Sequence, residues 1–298
     1  MTAEERSDIV YALIAYSICG LVPIYFMAVR YADASEVLAH RIVWSVLLLD
    51  VLLVVMRQLD AFLSLTKHQW VGLVVSSMLL SVNWLTFVWG LFNGYMIETS
   101  LGYYINPLVT VLLGVFILAE KPTRLQWLAL LIAAAGVVHE TLGFDRFPWV
   151  ALSLAFSFGL YGLVRKMLAI PSLPGLAAET LILLPLAIAW MGYLYGGLDN
   201  PLSAYSPGQW ALLGVGGLVT VLPLLAFAAA AIRVPLTLLG FIQYLSPTLA
   251  LILALVVYHE PLREGQLITF ACIWTALVLF PLEALYDRRI NKRREAMT

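Results

Sequence analysis

Two short stretches of this 298-residue chain carry side chains that could do chemistry. In EVLAHRIVWS, His40 stands beside Arg41, with Trp44 a turn beyond His40. Imidazole exchanges protons near neutral pH, whereas guanidinium stays charged. In IETSLGYYINP, Glu98, Gly102, Ile105 and Asn106 follow i, i+4, i+7 and i+8 and share one helix face. A face bearing a carboxylate, a glycine and an amide points inward, and Glu98 is the natural counter-charge for Arg41. Tyr103 and Tyr104 bring phenols to the same depth, and Asn83, Trp84 and Phe87 place an amide one turn from an aromatic ring. Gln243, Tyr244 and Ser246 are the polar groups of a later stretch. Such groups can hold a solute; the alternative readings are an interfacial anchor for Arg41, core packing for Trp84 and a purely kink-shaping role for Asn106 with Pro107. His139-Glu140 and His259-Glu260 open an HExxH pattern, but positions 143 and 263 are Gly and Arg, so neither completes it. No GxSxG and no Walker loop occurs. Cys19 and Cys272 have no metal spacing and read as small buried hydrophobes. The sequence therefore predicts no catalytic residue, no metal and no cofactor.

The elements that position these groups follow from composition. The chain is 62% hydrophobic and 12% charged, against about 45–50% and about 25% for soluble domains, and its mean hydropathy is +0.93. Too little polar surface exists to cover a water-soluble fold, so the chain is expected to lie in a membrane. A net charge of −1 gives no case for nucleic acid. The acidic N-terminal segment leads into its first apolar run without a small-residue cleavage site, so that run is expected to remain.

Ten runs reach the roughly 20 residues a spanning helix needs: 8–29, 36–56, 68–91, 97–119, 122–141, 147–166, 174–195, 208–231, 235–258 and 263–285. Short connections leave no room for an inserted soluble domain. With the N-terminus in the cytoplasm, 13 of the 17 Lys and Arg residues fall on the cytoplasmic side, leaving Arg30, Arg41, Arg146 and Arg263 opposite. Asp50, two turns from the cytoplasmic end of its span, is expected to face inward, and Glu179 to be a capped helix start.

Two stretches repeat at an offset of 140 residues. Tyr104 matches Tyr244, Pro107 matches Pro247, Glu120 matches Glu260 and Gln126 matches Gln266, without a gap. The chain reads as a duplicated five-helix unit, 1–145 and 146–286, followed by a basic cytoplasmic tail, 287–298. Five is odd, so the second unit enters the membrane inverted, as in alternating-access carriers. Gly20 and Pro23, Gly159 and Gly162, and Pro107 and Pro247 are candidate hinges, the glycines serving equally as close helix contacts.

EVLAHRIVWS, ETSLGYYINPLVTVLLGVFILAEKPTRLQWLAL and FGLYGLVRK resemble the RarD family of EamA-type drug/metabolite transporters, over essentially the whole chain. The resemblance implies an all-α, ten-helix carrier of the bacterial inner membrane, built as two inverted repeats with both termini cytoplasmic. The expected partners are an unidentified small metabolite, amino-acid-like solute or drug, and membrane lipid. Proton coupling is open, with Glu98 and His40 the titrating candidates, and the oligomeric state is open between monomer and homodimer. A channel or structural subunit is the alternative class, an intramembrane enzyme a more distant one.

Overall fold

The computed structural model describes residues 3–142, 147–196, 205–257, 259 and 267–280. All regular structure among them is helical: α1 (Ala3–Ala28), α2 (Ala34–Val55), α3 (Leu59–Leu63), α4 (Lys67–Phe92), α5 (Met96–Phe116), α6 (Arg124–Leu142), α7 (Trp149–Leu168), α8 (Ser172–Tyr195), α9 (Pro207–Arg233), α10 (Leu236–Gln243), α11 (Leu245–Val256) and a shorter α12 (Leu267–Phe280). Nine stretches among the described residues are long and apolar enough to cross a membrane, α10 and α11 counting as one. The chain is a multi-pass membrane protein. Glu260, Gln266, Arg146, Arg263 and the basic tail lie outside the described residues.

Helix ends recur at the 140-residue offset. Ala28, Val55 and Phe116 close α1, α2 and α5, and Leu168, Tyr195 and Val256 close α7, α8 and α11. Local chemistry recurs too. Thr66 and Gln69 form a capping box at α4, and Ser206 and Gln209 form one at α9; in each, hydroxyl and amide satisfy backbone N–H groups the first turn leaves orphaned. Ala119 and His259, again 140 apart, both take left-handed φ values, 54° and 52°.

Packing follows the same exchange. α1 packs on α9 and α11, and α7 packs on α4 and α5. Lipid offers no hydrophobic drive between helices, so close approach through small residues is the main source of cohesion. A Cβ on Gly20 would lie 2.7 Å from Leu249 Cβ, and one on Gly159 would lie 2.9 Å from Val109 Cγ1; Val109 and Leu249 are 140 residues apart. In this structure both glycines are contact points, as is Gly162, where a Cβ would lie 3.1 Å from Phe227. α1 runs through Pro23 and α5 through Pro107, whereas the second copy breaks at Tyr244, ahead of Pro247. Each proline removes an N–H, so the carbonyls of Cys19, Tyr103 and Gln243 lose their i+4 donor.

Candidate functional site

The helices enclose a cavity of about 130 Å³ near their midpoints. From the first half of the chain, α1 supplies Tyr16, Cys19 and Phe26, α2 supplies Arg41, α4 supplies Asn83, Trp84 and Phe87, and α5 supplies Gly102, Tyr103 and Asn106. From the second half come Leu154 and Phe158 of α7, Thr220, Pro223, Leu224 and Phe227 of α9, then Gln243, Ser246 and Pro247. The wall is mostly apolar, with a few polar groups converging on it, the usual make-up of a small-molecule site.

Among the described residues, Arg41 is the one charged group in the lining. It is 8% exposed, its Nε donates to Thr220 Oγ1 at 2.8 Å, and its guanidinium lies 5.3 Å from the Phe26 ring centre and 5.2 Å from that of Trp84. Among the described residues, ion pairs join Arg165 to Glu179 and Arg233 to Asp8, and none reaches Arg41. The expected Arg41–Glu98 pair is thus not formed. Glu98 is buried and accepts the N–H of Val150 at 3.3 Å, in the first turn of α7. A carboxylate there meets the positive end of the helix dipole.

His40 turns away from the cavity. Its Nε2 lies 2.7 Å from the Tyr195 hydroxyl, which donates to Glu36 Oε1 at 2.7 Å, while the Tyr205 hydroxyl donates to Glu36 Oε2 at 2.9 Å. With the single Tyr195 proton given to Glu36, His40 Nε2 must be the donor to Tyr195. Trp210 covers the imidazole edge-on at 5.6 Å. Tyr205 lies outside the spans, and burial first, then its hydrogen bond to Glu36, raises its pKa above the ordinary 10, so it stays a donor at physiological pH.

Of the remaining sequence candidates, Asn83, Trp84, Phe87, Tyr103, Asn106 and Gln243 meet at the cavity with Arg41. Tyr104 and Tyr244 are buried beside it, and the Tyr244 hydroxyl donates to the Tyr104 carbonyl at 3.4 Å. Trp44 faces outward at 42% exposure and packs on α9 at Gly214 and Gly217. Asp50 is exposed, contrary to the inward expectation, because it follows the outer edge of α2, three residues from Leu47 and four from Val54, both exposed too. Glu179 is not a capped helix start. It sits a full two turns inside α8, fully buried, its Oε1 3.5 Å from Arg165 Nη1. Tyr16, Phe26 and Thr220 lie outside the sequence candidates, since nothing in their apolar surroundings distinguishes a cavity face from a lipid face; Phe227 lies outside them too, although the 140-residue offset relates it to Phe87.

The matched Glu120 has a structural task as well. Its Oε1 accepts the Leu236 N–H at 2.7 Å, and its Oε2 accepts the Thr237 N–H at 2.7 Å and the Thr237 hydroxyl. One carboxylate thereby satisfies the start of α10. Glu120→Ala is expected to cost about 1–3 kcal/mol, the range for stranding charge-assisted donors, read as a lowered Tm in detergent. An unchanged Tm would mean water replaces the carboxylate without loss.

Comparison with known proteins agrees with this architecture. The model of the EamA-like transporter family matches residues 6–139 and again 148–281. The chain belongs to this family. A Bacillus subtilis protein described as "Uncharacterized transporter YojE" is 42% identical over 295 residues, covering 97% of this chain and 98% of the relative. "Protein RarD" of Salmonella typhimurium is 43% identical over 291 residues, covering 96% and 98%. A solved crystal structure superposes with a TM-score of 0.75 at 17% identity, covering 94% of this chain and 98% of the other, a likeness of fold. This EamA-type protein is therefore a RarD-like membrane transporter of the drug/metabolite type.

Proposed function

We propose that the protein is a carrier of the bacterial inner membrane that moves a small solute by alternating access, its two five-helix units inverted and both termini cytoplasmic. The observation that carries this reading is the make-up of the cavity wall. Asn83 and Pro223, Trp84 and Leu224, Phe87 and Phe227, Tyr103 and Gln243, and Asn106 and Ser246 all line it, and each pair is 140 residues apart. Tyr104 and Tyr244, one such pair, touch each other. Residues that meet their own repeat-mates lie close to the axis relating the units, so the cavity straddles that axis. A site there can be presented to either side when the units exchange conformations, the geometry of inverted-repeat carriers. The Lys and Arg distribution supports the orientation.

Cys19 gives a test that needs no substrate. It lines the cavity, and with Cys272→Ser it is the one thiol left, since the chain has two cysteines. In oriented vesicles, a membrane-impermeant thiol reagent is expected to label Cys19 from either side. Labelling from one side alone would remove alternating access and leave a closed or one-sided cavity.

A further inference from the structure

The chemistry of the wall narrows the solute, and this step rests on the cavity being the solute site. We propose that it takes a small organic monoanion, with one carboxylate against Arg41 and an apolar or aromatic body against Trp84, Phe87 and Phe227. Among the described residues, the cavity wall contains Arg41 and no Asp or Glu, and Arg41 has no acidic partner elsewhere. A buried charge is costly unless it is paired. Thr220 occupies Nε, and the two rings lie against the guanidinium, leaving its terminal nitrogens as donors for a carboxylate fork.

Gln243 is compatible with the same reading. Its Oε1 accepts from the Tyr16 hydroxyl at 3.5 Å, so its NH₂ is left as a donor. The one Thr110 hydroxyl proton goes to the Asn106 backbone carbonyl at 3.0 Å, the shortest of its three acceptors, and Asn106 keeps both ends of its amide for a ligand. The wall therefore offers a full positive charge that no carboxylate among the described residues offsets, which favours an anion. A cation would meet Arg41 with no acid among the described lining residues to offset it, and a zwitterion's ammonium would find neutral acceptors only. A dianion would leave its second charge facing phenyl rings. The volume, about 130 Å³, is close to that of an engineered apolar cavity of about 150 Å³ that holds one benzene, room for one small molecule.

The test is protection of Cys19 from a neutral maleimide, in Cys272→Ser protein in nanodiscs, by phenylacetate, phenylacetamide, phenethylamine and phenylalanine. Phenylacetate is expected to protect at concentrations about 10- to 100-fold lower than the amide, the amine or the zwitterion, the range for one charge-assisted interaction. Arg41→Gln is expected to remove that preference and Arg41→Lys to keep part of it. Equal protection by the neutral or cationic probe would overturn the inference. So would an undiminished preference in Arg41→Gln, or no protection by phenylacetate up to about 10 mM. If Arg41→Gln does not fold, the charge series on the Arg41 protein decides alone. Two-sided labelling without charge preference would remove the anion and leave the carrier; charge-selective protection with one-sided labelling would do the reverse.

Discussion

Glu179→Leu is expected to destabilise the protein by about 3–5 kcal/mol, the cost of leaving one partner of a buried ion pair uncompensated. Arg165 and Glu179 are both fully buried. The Glu179 carboxylate also accepts the Ser76 hydroxyl at 2.6 Å and the Tyr161 hydroxyl at 3.1 Å, so α4, α7 and α8 converge on one anion. Room for the guanidinium is made by Gly175, where a Cβ would lie 2.0 Å from Arg165 Nη1. Gly175→Ala should therefore disturb the pair from the other side. The comparison that isolates the pair is Arg165→Met combined with Glu179→Leu. An apolar pair of similar volume leaves no stranded charge, so the double variant should recover most of the loss. Unfolding in detergent micelles measures all four proteins. A double variant no more stable than Glu179→Leu would show that the packing of α4, α7 and α8, and not the ion pair, sets the energy here.

How far the sequence could be read depended on what kind of neighbour each residue has. The spans were legible because length and apolar composition are local properties. The Thr66–Gln69 and Ser206–Gln209 caps lie within one turn of sequence. The contribution of Arg41, Asn83, Trp84, Phe87, Tyr103 and Asn106 to a polar interior was legible from residue type alone. Their partners were not. Arg41 finds Thr220 179 residues away, and Glu98 reaches the Val150 N–H, 52 residues on, at the start of α7. In a helix apolar on all sides, the same side chains serve against lipid and against protein, so Tyr16 and Phe26 carried no mark. Phe227 did carry one, since adding 140 to Phe87 lands on it.

That pair separates floor from wall. Phe227 is 3% exposed; its ring stacks on Tyr161 at 5.6 Å and 19°, lies 4.9 Å from Phe158 and meets Tyr16 edge-on at 6.2 Å. Phe87 is only partly buried, with Phe26 at 5.6 Å and Tyr103 at 5.9 Å. Phe227→Ala is expected to cost about 3–5 kcal/mol, the lost transfer energy plus the void its neighbours cannot fill. Phe87→Ala, opening onto space already present, should cost roughly 1–2 kcal/mol. Transport should fall in both, because each ring lines the cavity proposed as the solute site. Equal stability losses would mean that Phe87 is as much a core residue as Phe227. Loss of stability without loss of transport in Phe227→Ala would place the solute away from the aromatic floor, nearer to Arg41 and the α2–α4 side of the cavity.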